Sequence, residues 1–129
     1  MPRVIHFEIQ AENPERAVRF YQNAFSWKFD KWEGPEDYWL ITTGPNDQPG
    51  INGGLMKRRG PGPQENQAVN SFVCTIGVEN LDSAMASATK QGGTMVVPKM
   101  PVPEVGWLSY FKDTEGNIFG IFQDDSSAK

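Results

Sequence analysis

His6 and Glu8 are the residues of this chain best placed to do chemistry. His6 is the only histidine, and Glu8 follows two residues later in a stretch where Ile5, Phe7, Ile9 and Ala11 alternate with Val4, His6, Glu8 and Gln10. A two-residue period is that of a half-buried strand, so both side chains leave the same face. A carboxylate beside an imidazole can raise the histidine pKa and make an acid/base pair. The same two groups can instead form a local ion pair that orients a side chain. For His6 the spacing leaves open a polar contact to a ligand, a general base, and a hydrogen bond within the sheet.

Other positions invite the same weighing. Gly53 and Gly120 fall inside predicted strands, where glycine costs about 0.5 to 1 kcal/mol relative to alanine. Either they mark bends or close backbone approach, or they make room for a ligand; Gly54 doubles the effect. Trp39 and Trp107 lie on corresponding strands and are candidates to stack on a planar ligand, with packing at the sheet edge as the alternative. Cys74 shares the helix-facing side of its strand with Phe72, Ile76 and Val78, which predicts an inert, buried thiol. As the lone cysteine it forms no internal disulfide.

These residues need elements to hold them, and the chain supplies the same set twice. Ile9, Glu12, Asn13 and Ala17 return as Ile76, Glu79, Asn80 and Ala84, and Ile51 and Gly53 return as Ile118 and Gly120, all at an offset of 67. The halves are expected to superpose without a gap. In the first, a strand is followed by a helix capped by Asn13, with Pro14 at its first position and Ala17, Val18, Phe20, Tyr21, Ala24 and Phe25 at helical spacing. Strands are then predicted around Trp27 to Trp32, Tyr38 to Thr43 and Ile51 to Arg58. The second half repeats the order: a strand from Phe72 to Val78, a helix capped near Asn80 and ended by Gly92-Gly93, and strands around Thr94 to Val97, Trp107 to Phe111 and Ile118 to Gln123. One domain over 1–129 is expected, with module one at 1–58, a Pro/Gly-rich linker at 59–70, module two at 71–123 and a frayed polar tail at 124–129.

At 129 residues the chain is long enough to bury its own core. Its net charge of −4 and pI near 4.9 disfavour nucleic acid, because the only basic cluster, Lys57-Arg58-Arg59, is short. Apolar runs are too short for a membrane-spanning helix. No secretory leader is recognisable, so a cytoplasmic location is expected.

With two βαβββ modules, the strand His6-Phe7-Glu8-Ile9, the run Glu15-Arg16-Ala17 ahead of Phe20-Tyr21, and the turn Asp113-Thr114-Glu115-Gly116-Asn117 ahead of a last strand, the chain resembles the glyoxalase/bleomycin-resistance/dioxygenase superfamily, or vicinal oxygen chelate proteins. The likeness covers nearly the whole chain. It implies an α+β fold in which two modules related by a pseudo-twofold repeat curve a mixed sheet into a cup, with helices outside. In metal-dependent members four strands each point one ligand into the cup. The first falls on His6, its repeat mate on Val73, the last-strand ligand on Gly120, and that residue's mate on Gly53. Valine and glycine bring no donor, and one imidazole leaves a divalent ion near its aqueous affinity. No metal and no other cofactor is therefore expected.

The resemblance also implies a homodimer, and a cup lined by His6, Glu8, Val73, Thr75, Ile118 and Phe122. The leading expectation is metal-free binding of a hydrophobic or aromatic small molecule, as in the antibiotic-sequestering branch of the family. The alternatives are a metal-free or degenerate glyoxalase-like lyase, isomerase or epimerase acting through His6 and Glu8, or an accessory protein acting through its dimer surface.

Overall fold

The computed structural model describes residues 2–68 and 72–129. The end of the expected linker, Val69 and Asn70, and the expected first residue of module two, Ser71, lie outside them. Ten elements follow in order: β1 (Arg3–Ala11), α1 (Pro14–Phe25), β2 (Lys28–Lys31), β3 (Tyr38–Thr42), β4 (Gly53–Lys57), β5 (Val73–Gly77), α2 (Leu81–Lys90), β6 (Thr94–Val102), β7 (Gly106–Lys112) and β8 (Ile118–Asp124). The βαβββ order thus occurs twice. The chain forms two compact units, one spanning His6–Phe72 and the other combining Val73–Lys129 with the residues up to Ile5.

In the first unit the strands run β2-β3-β4-β1, with β1 parallel to β4 and the other neighbours antiparallel. Asn13 starts α1 because its Oδ1 accepts the Arg16 N–H at 3.1 Å, and Pro14 follows where a missing N–H costs nothing. Ser26 ends it in the left-handed region (φ 60°), donating its N–H to the Gln22 carbonyl. The inward stripe, Ala17, Val18 and Tyr21, packs with Trp27, Phe29 and Trp39 on a core of Phe7, Ile9, Ala11, Ile41 and Leu55. Alternation along β1 therefore sends His6 and Glu8 to the face away from that core.

In the second unit the order is β5-β8-β7-β6, with β5 parallel to β8. Asn80 Oδ1 accepts the Ser83 N–H at 2.9 Å and Gln123 Oε1 accepts the Leu81 N–H at 2.7 Å, so two orphan donors of α2 are satisfied. Leu81, Phe111 and Ile121 form the core, with Val78, Ala84, Met85, Ala88, Trp107 and Phe119 around them. Asp113 closes the β7–β8 turn by accepting the N–H groups of Glu115 and Asn117 on Oδ1 at 2.8 and 3.0 Å. Those two bonds hold its carboxyl below the usual carboxylate range.

Four sequence expectations change. Strand β6 continues to Val102 rather than stopping at Val97; it is an edge strand, and Pro98 falls in its irregular stretch, where the ladder tolerates a missing N–H. The tail does not fray: Ala128 is buried, its carbonyl accepts the Glu104 N–H at 2.9 Å, and the Asp125 carboxylate takes the Trp107 Nε1–H at 3.0 Å. Cys74 is exposed rather than buried, since it lies near the start of β5, while Ile76 and Val78 further along line the groove beside α2. The repeat also loses a residue on the way to its last strand. Glu8 pairs with Gly54, and Thr75, at Glu8's repeat position, pairs with Gly120. The final strands therefore match at an offset of 66 (120 − 54), so Gly54 and not Gly53 is the partner of Gly120.

Candidate functional site

On the face of the first unit's sheet away from its core, three side chains form a hydrogen-bond chain. Tyr38 donates its hydroxyl proton to Glu8 Oε2 at 3.0 Å, and its oxygen lies 3.0 Å from His6 Nε2. Tyrosine has one such proton, so with it engaged on Glu8 the hydrogen of the second contact must come from Nε2. His6 is thereby held as the Nε2–H tautomer. Its Nδ1 keeps a lone pair and has no partner among the described residues. Glu8 is 8% exposed, which a carboxylate tolerates only with donors beside it.

The sheet makes this geometry possible through one glycine. Tyr38 pairs with Met56, so its ring reaches diagonally over Gly54, the residue in register with Glu8. A Cβ at Gly54 would collide with the Tyr38 hydroxyl and ring. Leu40, opposite Gly54, leaves an apolar, 46% exposed surface on the same face.

Burial lowers the His6 pKa below its ordinary 6.5, while the Glu8 carboxylate opposes this more weakly. The direction is the reverse of what the adjacent carboxylate alone suggested. Near pH 7 the ring is consequently neutral, a hydrogen-bond acceptor and a base rather than a cation.

Tyr38 is the member that sequence reasoning missed, because β3 carries large residues on both faces and its register is set by pairing with β4. The Gly53-Gly54 doublet was the available signal: a strand glycine leaves space that a neighbouring aromatic ring fills. Gly53 itself points to the other face, where a Cβ would meet the Phe7 ring and carbonyl. Trp39 packs on the first core with Lys31 Nζ 5.3 Å from its ring centroid. Trp107 packs on the second core, with Lys99 Nζ at 4.9 Å.

Within the second unit, buried Thr75 adjoins Gly120, where a Cβ would lie 2.8 Å from Thr75 Oγ1 and 3.2 Å from the Tyr110 ring. Val73 and Phe122 are half-buried and Ile118 is exposed. The structure thus brings His6 and Glu8 together in one unit and Thr75 and Gly120 together in the other.

Of the four strand positions that would carry metal ligands by resemblance, now His6, Gly54, Val73 and Gly120, only His6 has a donor side chain. The described residues also contain no cluster of three His, Cys, Asp or Glu side chains able to hold an ion. This donor set does not fit a divalent metal. No helix among the described residues is long and apolar enough to cross a membrane.

Comparison with known proteins adds a family to this geometry. The profile described as Glyoxalase/Bleomycin resistance protein/Dioxygenase superfamily matches residues 3–121. A glyoxylase-like domain-containing protein of Didymella fabae is 30% identical over 118 residues, covering 88% of each chain. Among solved structures, a hypothetical protein from Bacillus halodurans C-125 superposes with a TM-score of 0.68 at 12% identity, covering 99% of this chain and 98% of the other. Methylmalonyl-CoA epimerase from Mycobacterium tuberculosis superposes with a TM-score of 0.66 at 12% identity, covering 95% and 87%. At such identities the structural likeness speaks for the fold alone.

Proposed function

The chain belongs to the glyoxalase/bleomycin resistance protein/dioxygenase superfamily, and from that premise we propose that it binds a small hydrophobic or aromatic molecule without a metal ion. The observation that supports this reading is the His6–Tyr38–Glu8 chain. It ends in an imidazole nitrogen able to accept a hydrogen bond from a ligand N–H or O–H. Beside it, Leu40 and half-buried Met56 offer apolar surface on the same face of the sheet. A few fixed polar groups within apolar surroundings are what orient a small molecule.

The test is native mass spectrometry of untagged protein, with elemental analysis alongside and titration of an aromatic metabolite and antibiotic library. The expected result is no stoichiometric divalent metal and at least one bound aromatic compound whose affinity drops in Tyr38→Phe and His6→Ala. A stoichiometric metal, or no binding from the library, overturns the proposal.

A second reading is a metal-free lyase, isomerase or epimerase in which His6 is the base. The lowered His6 pKa favours it, since a neutral imidazole can take a proton at physiological pH. The Tyr38 oxygen and Glu8 carboxylate behind the ring would steady the imidazolium that forms. Removal of a proton beside a carbonyl is the reaction class this suggests, and the methylmalonyl-CoA epimerases among the structural neighbours are named for a stereochemical inversion. On this reading turnover follows the titration of one base and disappears in His6→Ala with folding unchanged.

A further inference from the structure

Each unit carries a groove along its helix, and four equivalent positions in the two grooves carry different chemistry. At the 67-residue offset, Arg16, Phe20 and Tyr21 of the first stand where Ser83, Ser87 and Ala88 stand in the second. At the last-strand offset of 66, Arg58 stands where Asp124 does. At these positions the same helix-on-sheet scaffold closes with small and acidic residues in one unit, whose groove is lined by a single arginine, Arg3. Packing does not call for two guanidiniums in the other.

Nor does charge pairing account for them. The Arg16 side chain has no ion pair or hydrogen bond among the described residues. Arg58 donates Nη2 to the Gln10 carbonyl at 2.8 Å, which fixes its plane, but its Nε is buried without an acceptor. Glu12 lines the same groove and pairs with neither arginine, so the lining keeps a surplus of one positive charge. Beside the two cations lie Phe20, 58% exposed and set edge-on to Tyr21 at 5.0 Å, and Pro63 from the connection after β4.

We propose that this groove, about 510 Å3 in volume, binds a small aromatic oxyanion, its carboxylate or phosphate held by Arg58 and Arg16 and its ring lying against Phe20 and Pro63. A guanidinium anchored through one nitrogen meets an oxyanion with its plane already set, so little side-chain freedom is lost on binding. The volume falls in the range of small-molecule sites. The groove involves Ile9 and Ala11, on the face of β1 opposite His6 and Glu8, and does not depend on the function proposed above.

The test is titration of the full-length protein with benzoate and with phenyl phosphate, following the arginine Nε–H resonances by NMR. The expected result is saturable shifts at Arg58 and Arg16, with affinity about tenfold weaker in Arg16→Gln or Arg58→Gln and tighter in Glu12→Gln. Because Arg58 also ties β4 to β1, Arg16→Gln is the decisive variant if Arg58→Gln fails to fold. Absence of saturable shifts overturns the proposal, as does undiminished affinity in Arg16→Gln. Inorganic phosphate binding as tightly as phenyl phosphate overturns it too, since the ring would then contribute nothing.

Discussion

The Tyr38 side chain lies across Gly54, its hydroxyl and ring edge filling the space where a β-carbon would stand. The glycine is what lets the phenol descend to Glu8 and His6. A gap in one strand thus sets a hydrogen-bond geometry on two others.

Gly54→Ala should displace Tyr38 and break the chain, at a cost of about 1–3 kcal/mol, the usual range for forcing a methyl into occupied space. Gly44 has nothing within 4 Å of its would-be Cβ, so Gly44→Ala should change stability by no more than about 0.5 kcal/mol. Urea denaturation of both variants checks the contrast. Equal midpoints would remove the steric role assigned to Gly54.

Tyr38→Phe keeps the ring and deletes the hydroxyl that serves Glu8 and His6. The expected loss is about 1–3 kcal/mol, the range for disturbing a buried polar contact. Combined with Glu8→Gln in a double-mutant cycle, the two effects should fall short of additive. Strict additivity would mean that Tyr38 and Glu8 do not work as a pair.

The His6 pKa is lowered in the folded state, so the unfolded chain binds more protons between that lowered value and 6.5. The contribution of His6 to stability is accordingly complete above 6.5 and declines as pH falls through this window. In Glu8→Gln the attraction favouring imidazolium is gone, and the pKa should drop further. NMR titration of the His6 ring reads both; a pKa that rises in Glu8→Gln would contradict the assigned balance of causes.

The two helix caps should behave alike despite different surroundings. Asn13→Ala and Asn80→Ala each remove one side-chain acceptor at a helix start and should each cost about 1 kcal/mol. Thermal unfolding measures this. Gln123→Ala is the further case, because its amide oxygen serves Leu81 N–H, next to a side chain with no exposure at all.

Periodicity carried the architecture well and the site only in part. Alternation from Ile5 to Ala11 separates the core side of β1 from the His6 and Glu8 side, and Asn13 and Asn80 mark both helix starts. What periodicity cannot supply is register between strands. Tyr38 could be assigned no face until β3 was paired with β4, and Gly53 looked like the partner of Gly120 because a constant offset hides a one-residue change. The His6 pKa was illegible for a related reason. The neighbouring carboxylate is visible in the sequence, whereas the burial that outweighs it is made by residues distant in the chain.

That one-residue change limits how the halves can be recombined. Side chains in a strand alternate faces, so a β4 replaced by β8 at the constant 67-residue spacing would arrive rotated by half a turn. The core leucine, Leu55, would be traded for Phe122, while Ile121, the true counterpart, would take the place of Gly54 and strike Tyr38. A chimera cut at a spacing of 66 keeps both faces in place. The modules are interchangeable parts only when the splice follows hydrogen-bond pairing, which makes chimera solubility a direct readout of where the repeat lost its residue.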